Sequence, residues 1–361
     1  MSAERVRVGV VGAGWWSTLS HLPALVANER AELSAVADRD PARLARAVAA
    51  HGAPRAFADH RELLAAGVVD ALVVAVPHAA HFEVARDALA AGVHVVVEKP
   101  MTIRAADAWE LVRLARERRL HLVVGYTYQF SSHARRAKQA FESGELGELL
   151  LVSGLFSSIV EAFYRGDTSA YDELFDFQLE GPQRDTYSDP AISGGGQGTT
   201  QVTHAMGMVH WLTGARADEV FAHMAQRDLA VDLADAISYR LDGGAIGTMA
   251  STGSLRLRQP EQQELRYYGS EGFMLQDIRN GTLEIHRNDG TSEVLPQLPK
   301  GPERYPAAGP TATIVDLVLG LRDDNPAPAE AGAATVEFLE LAYRSAAEHR
   351  PITRGAAPPA R

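Results

Sequence analysis

The chain contains no cysteine in 361 residues. That excludes disulfides, thiolate metal sites and a cysteine nucleophile together. A long apolar run is also missing. The longest, residues 71–76 between Asp70 and Pro77, falls far short of the roughly 20 residues that span a bilayer. The opening MSAERVRVGVVG carries Glu4 and no extended apolar core, so a secretory leader is not expected. Positive charge is in deficit. With 35 basic and 46 acidic residues the formal balance is 35 − 46 = −11, which leaves no general electrostatic pull toward nucleic acid or an anionic membrane. Repeats and low-complexity tracts are absent apart from a tail, residues 355–361, that reads as disordered. The 13 histidines are scattered, with no His-x-x-x-His or carboxylate cluster, so no metal is expected. What is present, 46% apolar and 22% charged residues over a length suited to about two domains, predicts a globular cytoplasmic protein.

Residues 1–125 alternate short β-branched runs (6–11, 33–37, 71–76, 93–97 and 120–124) with helical stretches. Asp40 suits a helix N-cap, Pro41 its first turn and Gly52 its end. A second helix is expected over 81–91 and a longer one from Thr102 to 119. Apolar strands separated by helices predict a parallel sheet covered on both faces. After a helix at 131–143, strands follow one another at 149–153, 219–225, 236–241, 245–251, 264–269 and 282–286. Asp242-Gly243-Gly244 is a hairpin turn, and Ile237, Tyr239 and Leu241 alternate with Ser238 and Arg240 as in a sheet with one wet face. Helices at 313–321 and 330–348 complete the chain. The expected class is α/β: a domain with a doubly wound parallel sheet over 1–125, a second, α+β domain whose sheet has one wet face over 126–354, and a flexible tail over 355–361.

Gly12-Ala13-Gly14-Trp15-Trp16-Ser17 follows the first strand and opens a helix. The first glycine permits the tight turn, and the second lets a pyrophosphate approach a positive helix end. Ser17, small enough for close helix packing, stands where a third glycine is usual. Asp38 ends the second strand, where a carboxylate accepts ribose hydroxyls and repels a 2′-phosphate; this favours NAD over NADP. Arg39 beside it tempers that preference. Trp15 and Trp16 either wall the cofactor or pack against other parts of the chain. At the end of the fourth long strand, Glu98-Lys99-Pro100 aims a lysine where ligands of open α/β sheets gather. A neighbouring positive nicotinamide would depress its pKa toward that of an acid–base catalyst. The alternative is a surface lysine paired with Glu98.

Ala75-Val76-Pro77-His78-x-x-His81, Gly92, Glu98-Lys99-Pro100, Gly125-Tyr126-Thr127-Tyr128-Gln129-Phe130 and Ser143-Gly144-Glu145-Leu146-Gly147 together resemble the Gfo/Idh/MocA oxidoreductases. The likeness continues through Gly194-Gly195-Gly196, His204, Trp211-Leu212-x-Gly214 and Tyr268-Gly269-Ser270-Glu271-Gly272, covering nearly the whole chain. The resemblance implies an N-terminal Rossmann domain followed by an open, mainly antiparallel sheet, NAD(P)-dependent oxidation or reduction of sugars, cyclitols and related polyols, and a homodimer or homotetramer built through the C-terminal sheet. Lys99 matches the family's catalytic lysine and His204 its catalytic histidine. Cofactor contacts fall on Gly12, Ala13, Gly14, Trp15, Trp16, Asp38, Arg39, Pro77, His78, His81, Glu98, Lys99 and Gln129, and substrate contacts on Tyr128, Thr200 and Gln201. Three departures stand out: Thr200 replaces an aspartate four residues before His204, Val202 replaces a glycine, and Gln129 replaces an arginine. His204 is alternatively a hydrogen-bonded core residue.

Residues 159–190 hold eight carboxylates (Glu161, Asp167, Asp172, Glu173, Asp176, Glu180, Asp185 and Asp189) among Phe163, Tyr164, Tyr171, Phe175, Phe177 and Tyr187. Such a loop serves a many-hydroxyl ligand as a lid, or else makes an oligomer contact. Asp185 or Asp189 is a candidate for the carboxylate that Thr200 lacks. Two other functions stay open: glycoside cleavage by transient oxidation and elimination on NAD, and a catalytically silent NAD or sugar sensor.

Overall fold

The computed structural model describes residues 5–172, 179 and 181–355. Glu173, Phe175, Asp176, Phe177 and Glu180 of the acidic segment, and the tail beyond Gly355, lie outside the described residues. The chain forms two compact units. One comprises Met1–Thr127, Gly166–Thr186 and Ala307–Ala333; the other comprises Tyr128–Arg165, Tyr187–Pro306 and Ala334–Arg361.

The first unit is built on six strands: β1 (Val6–Val11), β2 (Ala31–Ala37), β3 (Ala56–Phe57), β4 (Ala71–Val74), β5 (His94–Val97) and β6 (Leu122–Val124). They pair in parallel in the order β3-β2-β1-β4-β5-β6, the doubly wound arrangement whose ligand crevice lies where the order reverses, between β1 and β4. The strands are apolar on both faces because both are covered: Val8, Val10, Val73, Val95 and Val96 are fully buried. Asp40 caps the helix Pro41–His51 by accepting from the Ala42 and Arg43 amides, and Gly52 ends it with a left-handed φ of 72°. The helix expected from Thr102 instead begins at Ala105 and runs to Arg118. The Thr102 hydroxyl is spent on the Arg104 carbonyl, which holds the preceding turn open. Strand β3, only two residues long, had no readable pattern. At the far edge β6 is bordered by a late part of the chain: Val124 donates to the Ala327 carbonyl, and Val123 bridges Pro328.

The second unit carries nine strands: β7 (Leu149–Ser157), β8 (Ala217–Ala225), β9 (Ala234–Leu241), β10 (Ile246–Thr252), β11 (Gln263–Gly269), β12 (Gly272–Asp277), β13 (Thr282–Arg287), β14 (Ser292–Leu295) and β15 (Ile352–Thr353). Their order is β14-β13-β12-β11-β7-β10-β9-β8-β15. Every pair is antiparallel except β7 with β10. Ile237, Tyr239 and Leu241 point into the core, while Ala236, Ser238 and Arg240 are exposed. Gly243 and Gly244 both take positive φ in the β9–β10 turn. The other face is not simply wet. Register aligns Ile246, Leu151, Tyr268 and Phe273 across four strands, a row of large apolar side chains. No helix among the described residues is long and apolar enough to cross a membrane.

Candidate active site

In the first unit the glycine turn after β1 is shaped by its surroundings. Gly12 has φ 95°, and a Cβ there would meet the Ala75 carbonyl at 2.4 Å. A Cβ on Gly14 would meet nothing within 4 Å, so the second glycine faces the open space a pyrophosphate requires. Ser17 donates to the Gly12 carbonyl at 2.5 Å, closing the turn where a third glycine would only leave room. The following residues, Ser17–His21, form a π-helical turn, a form that concentrates at functional sites. Asp38 is buried at the end of β2, with its carboxylate accepting from the Ala13 and Asp40 amides, each at 2.8 Å. Its other neighbour is Arg43, whose Nη1 lies 3.3 and 3.4 Å from the two oxygens. Arg39 and Pro77 are exposed. The turn, the open approach and the acid at the end of β2 fit a dinucleotide.

Glu98 is not part of a surface pair. Its side chain is buried, and Oε1 accepts from Trp16 Nε1 and pairs with His21 Nε2, each at 2.9 Å. Oε2 accepts the Lys99 amide at 3.1 Å. A Cβ on Gly125 would stand 2.6 Å from this carboxylate, so the glycine after β6 leaves it space. Burial alone would raise the Glu98 pKa, but the His21 hydrogen bond, the nearby charges and Trp16 outweigh it and hold the carboxyl below its ordinary range. Burial pushes the Lys99 ammonium down, and the Glu98 charge only partly offsets it. Lys99 precedes a cis proline. His81 ties this turn to the end of β4: its ring nitrogens lie 2.8 Å from the Pro100 and Val76 carbonyls. Burial lowers its pKa, against the two carbonyls, which favour the protonated ring. His78 is buried with its ring 5.5 Å from that of His81. Trp15 packs edge-on against Trp16.

In the second unit His204 is half-buried at the start of the helix Thr203–Thr213. Its ring lies parallel to Phe156 (6.4 Å between centroids, 10°) and edge-on to Tyr128 (5.6 Å, 82°). Tyr128 in turn meets Tyr305 edge-on, and burial raises its phenol pKa. Gln129 is buried and donates to the Gly207 carbonyl at 2.8 Å within the same helix. A π-helical turn, Gly198–Val202, precedes that helix. Here the Thr200 hydroxyl lies 2.8 Å from the Gly196 carbonyl and is hydrogen-bonded to the Tyr164 hydroxyl. Tyr164 also donates to Gln197 Oε1 at 3.1 Å. Gln201 is half-buried beside Thr200. The glycine run is clasped by Asp232, which accepts the Gly196 and Gly198 amides and the Tyr343 hydroxyl, each at 2.7 Å.

Asp189 is engaged as an N-cap, accepting the Ala191 amide at 2.9 Å, and Asp185 is exposed at the start of a one-turn helix. Phe163, Tyr164 and Tyr171 are buried rather than presented as open faces. Lys99 belongs to the first unit and His204 to the second. Sequence reading did not single out His21, Arg43 or Asp232. Each acts on a residue remote in sequence or inside a helix, where no local pattern marks it; only the spacing of Arg43 from Asp38, one helical turn beyond the cap, offered a signal. Among the described residues no three His, Asp or Glu side chains are placed to share a metal.

A doubly wound sheet with a glycine turn after its first strand and an acid at the end of its second is the arrangement of a dinucleotide-binding domain. A family model described as "Oxidoreductase family, NAD-binding Rossmann fold" matches residues 6–126, and one described as "GFO/IDH/MocA C-terminal domain" matches residues 134–275. The chain belongs to this Gfo/Idh/MocA oxidoreductase family. It is 36% identical over 157 residues to dTDP-3,4-didehydro-2,6-dideoxy-alpha-D-glucose 3-reductase of Streptomyces antibioticus (44% of this chain, 48% of that one). It is 37% identical over 161 residues to inositol 2-dehydrogenase of Corynebacterium glutamicum strain R (42% and 46%). The chain thus spans less than half the length of these curated relatives. Among solved structures, GenD2 from gentamicin A biosynthesis in complex with NAD is 27% identical, with a TM-score of 0.79 over 99% of this chain and 98% of that one.

Proposed function

We propose that this protein moves hydride between NAD and a secondary alcohol or ketone on a sugar, glycoside or cyclitol. The observation that carries the reading is Lys99, an ammonium depressed by burial yet held beside an ionised, hydrogen-bonded Glu98 at the carboxyl end of β5. A lysine in that state gives up its proton more readily than an ordinary surface lysine does. When bound, NAD supplies the hydride acceptor or donor. Gly12, Ala13, Gly14 and Asp38 would hold it, with Trp16 and Glu98 below the turn. Lys99 Nζ handles the substrate hydroxyl proton, and His204 provides the second proton-bearing group. Aromatic side chains around His204 suit the apolar faces of a sugar ring. A second copy of the chain seats on the open face of the nine-stranded sheet, giving a homodimer or homotetramer.

Lys99→Met tests the assignment. Nicotinamide absorbance is followed with a panel of sugars and cyclitols, and NADH binding is measured separately. Turnover should fall at least about a hundredfold, the lower range for losing a general acid–base group, with far less change in NADH binding. Wild-type turnover in the variant would falsify the role of Lys99. One feature favours a second reading, transient oxidation followed by elimination of a glycoside: Thr200 is a neutral hydroxyl, committed to Gly196 and Tyr164, where the family resemblance implies a carboxylate. Glycoside cleavage with no accumulation of NADH would select that reading.

A further inference from the structure

A carboxylate at the end of the second strand of a dinucleotide fold excludes a 2′-phosphate chiefly by its charge. In this chain that charge is not left alone. Asp38 spends one oxygen on the Ala13 amide and the other on the Asp40 amide, and the Arg43 guanidinium lies 3.3 and 3.4 Å from the two. Arg43 is itself well packed, its side chain 15% exposed, and it stands in the first turn of the helix Pro41–His51. It also reaches toward Asp40, at 3.7 Å. Over residues 38–46 the charged side chains are Asp38 and Asp40 against Arg39, Arg43 and Arg46, a local balance of 3 − 2 = +1 in a chain of −11. The corner that should repel a phosphate is therefore cationic, at the positive end of an eleven-residue helix.

We propose that Arg43 is a cofactor-selecting residue: paired with Asp38, it cancels the exclusion of a 2′-phosphate, so that the chain accepts NADPH as well as NADH. Only one guanidinium nitrogen, Nη1, meets the carboxylate, so the ammonium of a lysine would supply the same charge. Because the effect is electrostatic and near the surface, it weakens as salt rises.

The test is a fluorescence titration of the whole chain with NADH and NADPH, in wild type, Arg43→Gln and Arg43→Lys, at low and high salt. Wild type should bind both. Arg43→Gln should widen the NADH-to-NADPH affinity ratio by about tenfold, the order expected for losing one cation a few ångströms from a phosphate, with the change falling on NADPH. Arg43→Lys should recover most of it, and high salt should shrink the difference. The inference is overturned if wild type does not bind NADPH. It is equally overturned if Arg43→Gln weakens both cofactors alike, which is what mere loosening of the helix would do. The titration reads binding alone, so its outcome is independent of whether Lys99 is catalytic.

Discussion

A Cβ on Gly125 would stand 2.6 Å from both the carboxyl carbon and one oxygen of Glu98, and its φ is not in the left-handed region. The glycine is there for its neighbour's space, not for its own backbone freedom. Gly125→Ala should therefore destabilise the fold by on the order of 1–3 kcal/mol through overpacking, measured by urea unfolding. Combining it with Glu98→Ala should cost clearly less than the two changes summed, because the collision disappears with the carboxylate. Additive effects in that cycle would show the two residues to be uncoupled. At this scale the sequence motif Glu98-Lys99-Pro100 was legible, but the state of its glutamate was not. What makes Glu98 a buried, ionised group is His21 and Trp16, which approach from a different segment.

At the scale of elements, the strands with strong apolar runs and the helix between Asp40 and Gly52 were readable because each carries its own local signals. Strand β12, Gly272–Asp277, was not, since Gly269 and Gly272 flank it as a turn and the alternation of Phe273, Met274, Leu275 and Gln276 has no polar face. The π-helical turns were equally hidden, since hydroxyl-rich segments such as Ser17–His21 and Gly198–Val202 hold no repeat of their own. The helix Thr203–Thr213 illustrates what such reading leaves out. His210 in its last turn is fully enclosed, donates Nδ1–H to the Ala215 carbonyl at 2.7 Å, and has its pKa lowered by burial from 6.5 to about 4. The unfolded chain takes up this proton below about pH 6.5 while the folded chain resists until about 4. The neutral ring thus contributes fully above pH 6.5 and loses its contribution as pH falls toward 4, on the order of 3 kcal/mol in all. Urea unfolding of His210→Asn, whose amide can keep the bond to Ala215, should show a smaller loss of stability over that interval than wild type. An identical pH slope would remove His210 from the account of acid sensitivity.

At the scale of the molecule, an alternating pattern predicted one wet sheet face, and the register shows why that is incomplete. Pairing of Ile246 with Leu151, Leu151 with Tyr268, and Tyr268 with Phe273 lines up four large side chains that are far apart in sequence, and Ile246 is 53% exposed. Such a row suits the second copy proposed for this face. Wild type should sediment as a dimer or tetramer, and Leu151→Glu combined with Ile246→Glu should lower the mass toward one chain while the variant still binds NADH. A wild type that sediments as a monomer would remove the proposed second copy.

The border of β6 has a consequence of its own. The Rossmann-type sheet takes its last hydrogen bond from Ala327 and seats Gly332 against Val124 and Met101, where a Cβ would come within 2.7 Å. Part of the first unit is thus made late when the chain is synthesised from its N-terminus. A ribosome that has released only the first 127 residues has not yet supplied the segment that finishes the sheet's edge. The nucleotide-binding half is therefore no portable cassette to be cut out and grafted elsewhere; its completion is postponed until the second unit has almost wholly emerged.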